Sequence, residues 1–273
     1  MDEKNLYPLR FTPSETVHPW GRESWLLADL GYVDSEVSSG WLQGNTLSEL
    51  MQTYLEKVVG DDTFEYYGLQ FPVTVKVLNI DGKTPVLVQA DDTVAAQRYD
   101  SLGRTALWIV LSAQPGARIR IGFKNNLSAQ ALYEAAQQGR LETLMNRTEV
   151  QRGDRFLLEP GVTYAFSGKA RILEIAEASS LVFDLNDPED LVEAFDWVEL
   201  KKFPVMVRQA HQPSGKMSTP HFRVAETLGP EDRDGFVIHV PLADGAHLTL
   251  FPPETTAEAA PKDGLFILPG RRD

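Results

Sequence analysis

The feature that most constrains this chain is a succession of short apolar segments separated by turn residues. FPVTVKVLNI, TALWIVLS, ARIRIGF, DRFLLEP, VTYAFSG and ARILEIAEA are each no more than 10 residues long and rich in β-branched and aromatic side chains. Gly, Pro, Asn or Asp bounds each segment, as is typical of strands joined by tight turns. Many short strands at this spacing indicate a sandwich or a barrel, so the fold is predicted to be mainly β.

Segments with helical periodicity interrupt the strands at three places. In NTLSELMQTYLEKVVG the apolar residues recur on one stripe, Thr46 and Glu49 fit a capping box, and Gly60 is the expected end. A second helix is expected from Ser128 through SAQALYEAAQQG, continued by LETLMN, and a third from the cap Asp187 through DPEDLVEAFDW. All three are predicted to pack against the strands as peripheral helices.

Composition excludes several classes of function. The net charge of -13 repels nucleic acid and anionic membrane, so neither is an expected partner. The absence of cysteine excludes disulfides, thiolate metal sites and a Cys nucleophile. The start MDEKNLYPLRF is not a secretory signal, and no apolar segment approaches the roughly 18 residues of a membrane span. A soluble, cytoplasmic protein is therefore expected.

One stretch of sequence is loosely repeated. GDRFLLEPG, at 153–161, returns as DGLFILPG, at 263–270, with an acidic turn, an apolar strand and a Pro-Gly corner in both. This predicts two copies of one β unit, the second of them curtailed. The boundary is expected near VELKKFPV, which gives an N-terminal barrel with helical additions at 1–198 and a truncated C-terminal β domain at 199–273.

The segment GDRFLLEPGVTYAFSG resembles the second conserved box of the cupin barrels. More specifically, the chain resembles the short bacterial class I mannose-6-phosphate isomerases. The boxes LYPLRF, HPWG, NTLSEL, FPVTVKVLN, VLVQADD, SLGRTALWIVLSAQPGARIRIGF and RGDRFLLEPGVTYAFSGKARILEIAEAS follow in family order through most of the first 190 residues. The resemblance implies a double cupin, with jelly-roll β-barrels, a few peripheral helices and a curtailed second barrel.

The resemblance also implies a chemistry. Members of the family interconvert mannose 6-phosphate and fructose 6-phosphate with a divalent metal, usually zinc, held by His and Glu, with a Gln in some members and an Arg near the sugar. Moving a proton between C1 and C2 requires a polarised carbonyl and a stabilised enediolate, which a Lewis-acid metal supplies. Imidazole and carboxylate are suitable ligands for zinc.

The positions that match the family's ligands carry other residues. Leu87 stands where some members have Gln, Gln89 where the family has a His, Ala106 where it has Glu, and Tyr164 where it has the second His. Its downstream Arg falls on Asp184. No cofactor is therefore expected here, although the family uses zinc.

Strand alternation supports this alignment of positions. In VLVQAD, the residues Leu87, Gln89 and Asp91 share one face, and the intervening Val and Ala residues share the other. A slip of one residue would therefore bring Val or Ala, and not His, to the site.

Several polar residues are candidates for substrate contact, each with a structural alternative. Gln89 and Tyr164 either donate to a sugar hydroxyl or fill a collapsed cavity with a mutual hydrogen bond. Lys76 is either an anion or sugar contact or the partner of Glu174 in a buried ion pair. Asp91 forms a catalytic pair with Asp92 or bonds local backbone. The full candidate set is Lys76, Gln89, Asp91, Arg104, Tyr164, Glu174 and Asp184.

None of the five histidines lies at a position that matches a family ligand. His211 and His221, in RQAHQPSGKMSTPHF, are assigned surface or turn roles because their spacing is not that of a metal site. His239 and His247 are expected to lie across a hairpin from each other as an exposed pair, rather than as a new zinc site.

These observations favour a mannose-6-phosphate isomerase homologue that has lost its zinc site. Such a pseudoenzyme would serve as a sugar-binding or regulatory protein, with a carbohydrate or sugar phosphate as ligand and a protein partner or a second copy as a possible subunit. The alternative is an active sugar-phosphate isomerase with a rebuilt site, or a metal-free reaction that uses Lys76, Tyr164 and Asp91. A structural interaction module with a side-chain-filled barrel is a third class.

Overall fold

The computed structural model describes residues 5–204, 217–229, 232, 235–242, 246–255, 261 and 264–270. Contacts divide the chain into two compact units. Unit 1 comprises 1–16, 24–77 and 212–273, and unit 2 comprises 17–23 and 78–211. Both units are discontinuous in sequence, and the predicted division into 1–198 and 199–273 stays a prediction.

The described part of the chain is mainly β, as predicted. Its strands are β1 Ser14–His18, β2 Gly21–Leu27, β3 Val73–Lys83, β4 Leu87–Gln89, β5 Ala106–Ala113, β6 Arg118–Phe123, β7 Met145–Glu149, β8 Arg155–Leu158, β9 Tyr164–Glu177, β10 Val182–Asp184, β11 Met217–Ser218, β12 Phe222–Ala225, β13 Val237–Val240, β14 Thr249–Phe251 and β15 Leu265–Pro269. Its helices are α1 Leu47–Tyr54, α2 Glu56–Val59, α3 Asp61–Tyr67, α4 Asp92–Tyr99, α5 Ala129–Gln137, α6 Leu141–Leu144 and α7 Pro188–Ala194, with a 3-10 turn at Pro253–Thr255.

Strand β9 organises the sheet of unit 2. The order along this sheet is β3-β9-β4-β10, while β5 pairs with β8 and β9, and β6 pairs with β7 and β9. All pairs of β5 and β6 with these neighbours are antiparallel. The first residues of β9 pair with β6, and its later residues, from Ala170 to Ala176, pair with β5.

The sequence predicts two strands, VTYAFSG and ARILEIAEA, where the structure has β9 alone. Gly168 lies between the two segments with φ +106°. A Cβ there would lie 2.7 Å from the Cα of Ala117, so only glycine permits this backbone approach. The glycine therefore allows β9 to continue from its pairing with β6 to its pairing with β5, and it does not end the strand.

Unit 2 has apolar side chains buried on both faces of its sheet. The inner cluster contains Leu78, Ile80, Ala106, Trp108, Val110, Ala117, Ile119, Ile121, Val150, Phe156, Leu158, Val162, Tyr164, Phe166, Ala170, Ile172 and Ala176. The helix-side cluster contains Val86, Val88, Ala90, Phe123, Leu132, Ala135, Leu141, Met145, Ala165, Phe183, Leu185, Leu191, Ala194 and Val198. Residues of α5, α6 and α7 belong to the second cluster, so these helices are packing elements as predicted.

Unit 1 contains α1 to α3 and a second sheet of five strands in the order β11-β12-β15-β13-β14. The predicted capping box at the start of α1 is confirmed, with Thr46 and Glu49 each accepting from the other's backbone amide. The predicted helix is interrupted at Leu55, whose φ is 54°, and it continues as α2 up to the cap Gly60. The apolar stripe that the sequence assigns to one helix therefore extends over two helices, α1 and α2.

None of the helices in the described part of the chain has the length and apolar composition that crossing a bilayer requires.

We expect the inner cluster to carry much of the stability of unit 2. Phe156→Ala removes a side chain that is 1% exposed, and it is expected to lower the free energy of unfolding by about 3–5 kcal/mol because a cavity remains. The measurement is urea denaturation followed by tryptophan fluorescence. Val192→Ala is the control, since this side chain on α7 is 72% exposed, and a loss of similar size in both variants would contradict the burial of Phe156.

Candidate functional site

The residues that match the family's ligand positions lie on or beside β4, β5 and β9 of unit 2. Leu87 of β4 pairs in register with Tyr164 of β9, and both belong to or pack against the inner cluster. Val86, Val88 and Ala90 lie in the helix-side cluster. The side chains of VLVQAD therefore alternate between the two faces of the sheet as the sequence predicts.

Glu174 is a carboxylate buried in this inner region, with 4% of its surface exposed. It lies on β9 opposite Trp108 of β5, and opposite residues of an antiparallel pair share a face. The indole Nε1 of Trp108 donates to Glu174 Oε2 at 2.6 Å, and Nη2 of Arg104 donates to Glu174 Oε1 at 2.5 Å. Each carboxylate oxygen therefore has a strong donor inside the protein.

Arg104 is held in place by backbone acceptors in addition to Glu174. Its Nη1 donates to the carbonyl of Ser179 at 2.8 Å and to that of Glu177 at 3.2 Å, while its own amide donates to Ala90 O at 2.9 Å. The side chain is 4% exposed. Two residues of the candidate set, Arg104 and Glu174, thus form an ion pair that holds the ends of β5 and β9 together.

Tyr164 occupies the position of the family's second histidine. Its ring packs edge-on against Trp108, with ring centroids 5.5 Å apart and an interplanar angle of 84°. Burial raises the pKa of the Tyr164 phenol well above its usual value, and the negative charge of Glu174 raises it further. Without a bound cation the phenol is therefore neutral at physiological pH.

Gln89 is fully buried at the position of the family's first histidine. Its side-chain Nε2 donates to the backbone carbonyl of Leu158 at 3.4 Å. Its backbone carbonyl accepts from the amide of Gly161 at 2.8 Å. Its Oε1 has no hydrogen-bond partner among the described residues, so the mutual bond with Tyr164 that the sequence allows is not formed there.

The side chains at the matched positions do not fit zinc. Leu87 and Ala106 offer only alkyl groups, Gln89 offers a neutral amide, and Tyr164 offers a neutral phenol. Zinc in proteins takes thiolate, imidazole and carboxylate ligands, and none of the four is one of these. The ligand arrangement that the family resemblance implies is therefore not present at these positions.

The acidic candidates have local roles. Asp91 is the N-cap of α4 and accepts from the amide of Val94 at 2.7 Å, which favours the structural alternative over the catalytic one. Asp184 lies opposite Leu87 in the β4–β10 pair and accepts from the amide of Asn186 at 2.8 Å. Burial raises the pKa of Asp184 above its usual value.

The structure also brings together two carboxylates that the sequence does not connect. Oxygens of Asp92 and Glu177 lie within 4.8 Å of one another in unit 2, close enough to bind one cation. Glu177 ends β9 and Asp92 begins α4. Sequence reasoning missed this pair because it did not predict α4 and because the two residues are far apart in the chain.

Lys76 belongs to the part of β3 that lies in unit 1. Its Nζ lies 4.4 Å from the centroid of the Trp25 ring, a cation–π contact of a side chain that is 8% exposed. This contact is a further role for Lys76 that the sequence did not indicate. Its assignment as a sugar contact stays a prediction.

The histidines differ in part from their predicted roles. His221 lies in the turn between β11 and β12, in line with the predicted turn role, but it is buried and not at the surface, and its Nδ1 lies 3.2 Å from the Tyr67 hydroxyl. His239 is also buried and pairs with Thr249, whereas His247 is exposed, so the two do not form an exposed cross-strand pair. His211 lies outside the described residues.

Two curated relatives match the chain in sequence. The "Putative mannose-6-phosphate isomerase YvyI" of Bacillus subtilis is 26% identical over 170 residues, which are 62% of this chain and 52% of that protein. The mannose-6-phosphate isomerase of Streptococcus mutans is 28% identical over 175 residues, which are 64% of this chain and 52% of that protein. In sequence, the chain is thus similar to mannose-6-phosphate isomerases.

Solved structures of mannose-6-phosphate isomerases share the fold. The enzyme of Bacillus subtilis superimposes with a TM-score of 0.71 at 17% identity, over 97% of this chain and 98% of that one. The "putative mannosephosphate isomerase" of Archaeoglobus fulgidus gives 0.75 at 19% identity, over 99% and 96%. A zinc-bound mannose 6-phosphate isomerase gives 0.72 at 12% identity, over 97% and 100%. The predicted cupin-type fold is therefore confirmed.

The sequence similarity covers only part of the relatives. The sequence match spans about half the length of the curated relatives. No family model matches the chain. The identity of the fold is established by the comparisons, but the activity of this relative of the mannose-6-phosphate isomerases has to be argued from its own residues.

We expect the buried ion pair to be required for stability. Arg104→Met leaves the Glu174 carboxylate with one donor fewer, and it is expected to lower the free energy of unfolding by about 3–5 kcal/mol. Arg118→Met is the matched control because Arg118 pairs with Glu149 at the surface, where such pairs contribute at most about 1 kcal/mol. The measurement is urea denaturation at pH 7, and equal effects of the two variants would show that Glu174 is not held as described.

We expect Asp184 to make stability depend on pH. Because burial raises its pKa, the folded state binds the proton more tightly than the unfolded state, and stability falls as the pH rises from the usual 3.8 through the raised value. Asp184→Asn is therefore expected to be more stable than the parent at pH 7, with a difference that shrinks toward pH values below the usual one. The measurement is the urea midpoint across this range, with the exposed Glu189→Gln as control; a difference that grows on acidification would contradict the assignment.

Proposed function

We propose that this member of the mannose-6-phosphate isomerase family has lost the family's zinc site, and with it the isomerisation, and that it acts as a sugar-binding or regulatory protein. The observation that carries the proposal is the replacement of both matched imidazoles by neutral groups. Gln89 supplies an amide and Tyr164 a phenol whose pKa is raised, and the matched carboxylate position is the methyl group of Ala106.

The packing around these positions supports the proposal. Trp108, Tyr164 and Glu174 are each less than 5% exposed. The carboxylate of Glu174, which is buried beside these positions, is bound by Arg104 and Trp108. Opening this region for a metal and a sugar would require a buried charge to lose its partners, which is costly in free energy.

The proposal also covers the ligand, the partner and the location of the protein. The ligand is a carbohydrate or sugar phosphate, since the relatives act on mannose 6-phosphate by name. Association with a protein partner or a second copy would give such a binder a regulatory role. The proposed location is the cytoplasm, which accords with the acidic composition.

An active isomerase with a rebuilt metal site is the second candidate, and one observation favours it. The carboxylates of Asp92 and Glu177 lie close enough to share a cation, at the same ends of the strands as Arg104. Two carboxylates suit a hard divalent cation such as magnesium or manganese, and with additional ligands they suit zinc. This candidate makes a different prediction for the metal content of the purified protein.

We expect the protein, purified without a His tag or chelator, to hold far less than one zinc or manganese ion per chain after loading. We also expect no interconversion of mannose 6-phosphate and fructose 6-phosphate. The measurements are elemental mass spectrometry and a coupled isomerase assay. Gln89→His/Ala106→Glu/Tyr164→His is the positive control for metal, since it restores the imidazoles and carboxylate that zinc prefers.

The opposite result is equally informative. About one tightly held ion per chain, together with turnover, would overturn the loss of the zinc chemistry. In that case Asp92→Asn and Glu177→Gln are expected to remove the ion if the rebuilt site uses their carboxylates, whereas Glu159→Gln, a change of the same size in an exposed carboxylate, is expected to leave it bound.

A further inference from the structure

Two side chains in the inner region of unit 2 each have a buried polar atom that is not bonded to protein. Nε of Arg104 and Oε1 of Gln89 have no hydrogen-bond partner in the part of the chain that the structure describes. Arg104 is 4% exposed and Gln89 is fully buried. An unbonded buried donor or acceptor costs free energy, and most such groups in proteins are bonded to protein or to water. Each of these two atoms is therefore expected to bind a partner other than the described residues.

The other polar atoms of both side chains fix the directions in which Nε and Oε1 point. Nη1 of Arg104 donates to two backbone carbonyls and Nη2 donates to Glu174, so the guanidinium plane is held by three bonds. Nε2 of Gln89 donates to the backbone carbonyl of Leu158 at 3.4 Å, which leaves Oε1 on the other side of the amide group. A change of rotamer that paired Nε or Oε1 with protein would break these bonds.

Gln89 and Arg104 are neighbours in the inner region. The backbone amide of Arg104 donates to the carbonyl of Ala90 at 2.9 Å, and Ala90 directly follows Gln89 in the chain. Gln89 shares its face of the strand with Leu87, which packs against the inner cluster. The side chain of Arg104 reaches the same region, where it bonds the buried carboxylate of Glu174. The unbonded donor and the unbonded acceptor therefore belong to one polar region.

The chemistry of the two atoms selects the partner. A guanidinium N–H only donates and an amide oxygen only accepts, so one partner that serves both has to accept and to donate. A metal cation would bind Oε1 but not the N–H, and an anion would accept from the N–H but could not donate to Oε1. A water molecule does both, and buried waters bond about two to four polar groups. Ala106, which begins β5 and belongs to the inner cluster, adds only a methyl group to this region.

We propose that an internal water molecule joins Arg104 to Gln89, accepting from Nε and donating to Oε1. The water is a fixed part of the folded unit, because it satisfies the last polar atoms of two buried side chains. Gln89 and Arg104, both candidates for substrate contact, are thereby assigned to holding this water and not to binding a sugar. The inference goes beyond the proposed function and holds whether or not the protein binds a carbohydrate elsewhere.

The experiment is a crystal structure of the full chain at a resolution that shows ordered water, with data also collected at the zinc absorption edge. We expect a water within about 3.2 Å of both Arg104 Nε and Gln89 Oε1, without anomalous signal. A direct bond between the two side chains, or no ordered species within reach of both atoms, would overturn the water site and leave the proposed loss of the zinc site untouched. An anomalous peak between them would overturn both, so the two failures are distinguishable.

A second measurement tests the water in solution. Oxygen-17 relaxation dispersion detects waters that stay inside a protein for longer than its tumbling time. Gln89→Met keeps an unbranched side chain but removes its polar atoms, so it is expected to lose a single long-lived water relative to the unaltered protein. Gln137→Met, a change of the same kind at an exposed residue of α5, is expected to keep it.

An unchanged dispersion in Gln89→Met would contradict the proposal. Should this variant not fold, magnetisation transfer from water to the Nε–H of Arg104 in the unaltered protein provides the decisive observation. A cross-peak to a bound water is expected there because the water lies within hydrogen-bond distance of this group. A protected Nε–H without such a cross-peak would overturn the water site.

Discussion

The burial of the Glu174 carboxylate is the constraint on which the inner region of unit 2 depends. A charged group inside a protein is tolerated only where donors replace the water it has lost. Here the guanidinium of Arg104 and the indole of Trp108 occupy one oxygen each. Arg104 in turn is held by the carbonyls of Glu177 and Ser179, so a network of charge-assisted bonds joins the start of β5 to the end of β9.

This network determines what the region can do chemically. Both oxygens of Glu174 and both terminal nitrogens of Arg104 already have partners, and Tyr164 packs against Trp108 with its phenol neutral. A catalytic site for proton transfer needs groups that are free to exchange protons near neutral pH. The packed end of unit 2 thus has the properties of a structural core, whereas the opposite end has a cavity with guanidinium groups in its lining.

The fold and the ligand positions of unit 2 depend on different sets of residues. The fold depends on many apolar side chains that alternate along the strands, and these are present from β3 to β9. A metal site depends on a few side chains, and replacing them leaves the sheet intact. Similarity of fold therefore does not by itself establish activity. The close approach of Asp92 and Glu177 shows that new groupings of acidic residues can arise on the same scaffold.

The sequence by itself determined the mainly β fold, the capping box at Thr46, the faces of VLVQAD and the identities of the residues at the matched positions. These follow from local rules: a strand alternates with a period of two, and a cap bonds a residue three positions away. The sequence did not determine that α4 follows Asp91, that Gly168 continues a strand, or that Arg104 and Trp108 share Glu174. Only the tertiary structure decided these, because each depends on backbone or side chains brought together from distant parts of the chain. The cavity beside Arg22 and Arg171 is of the same kind, since its lining comes from five strands whose arrangement the sequence does not predict.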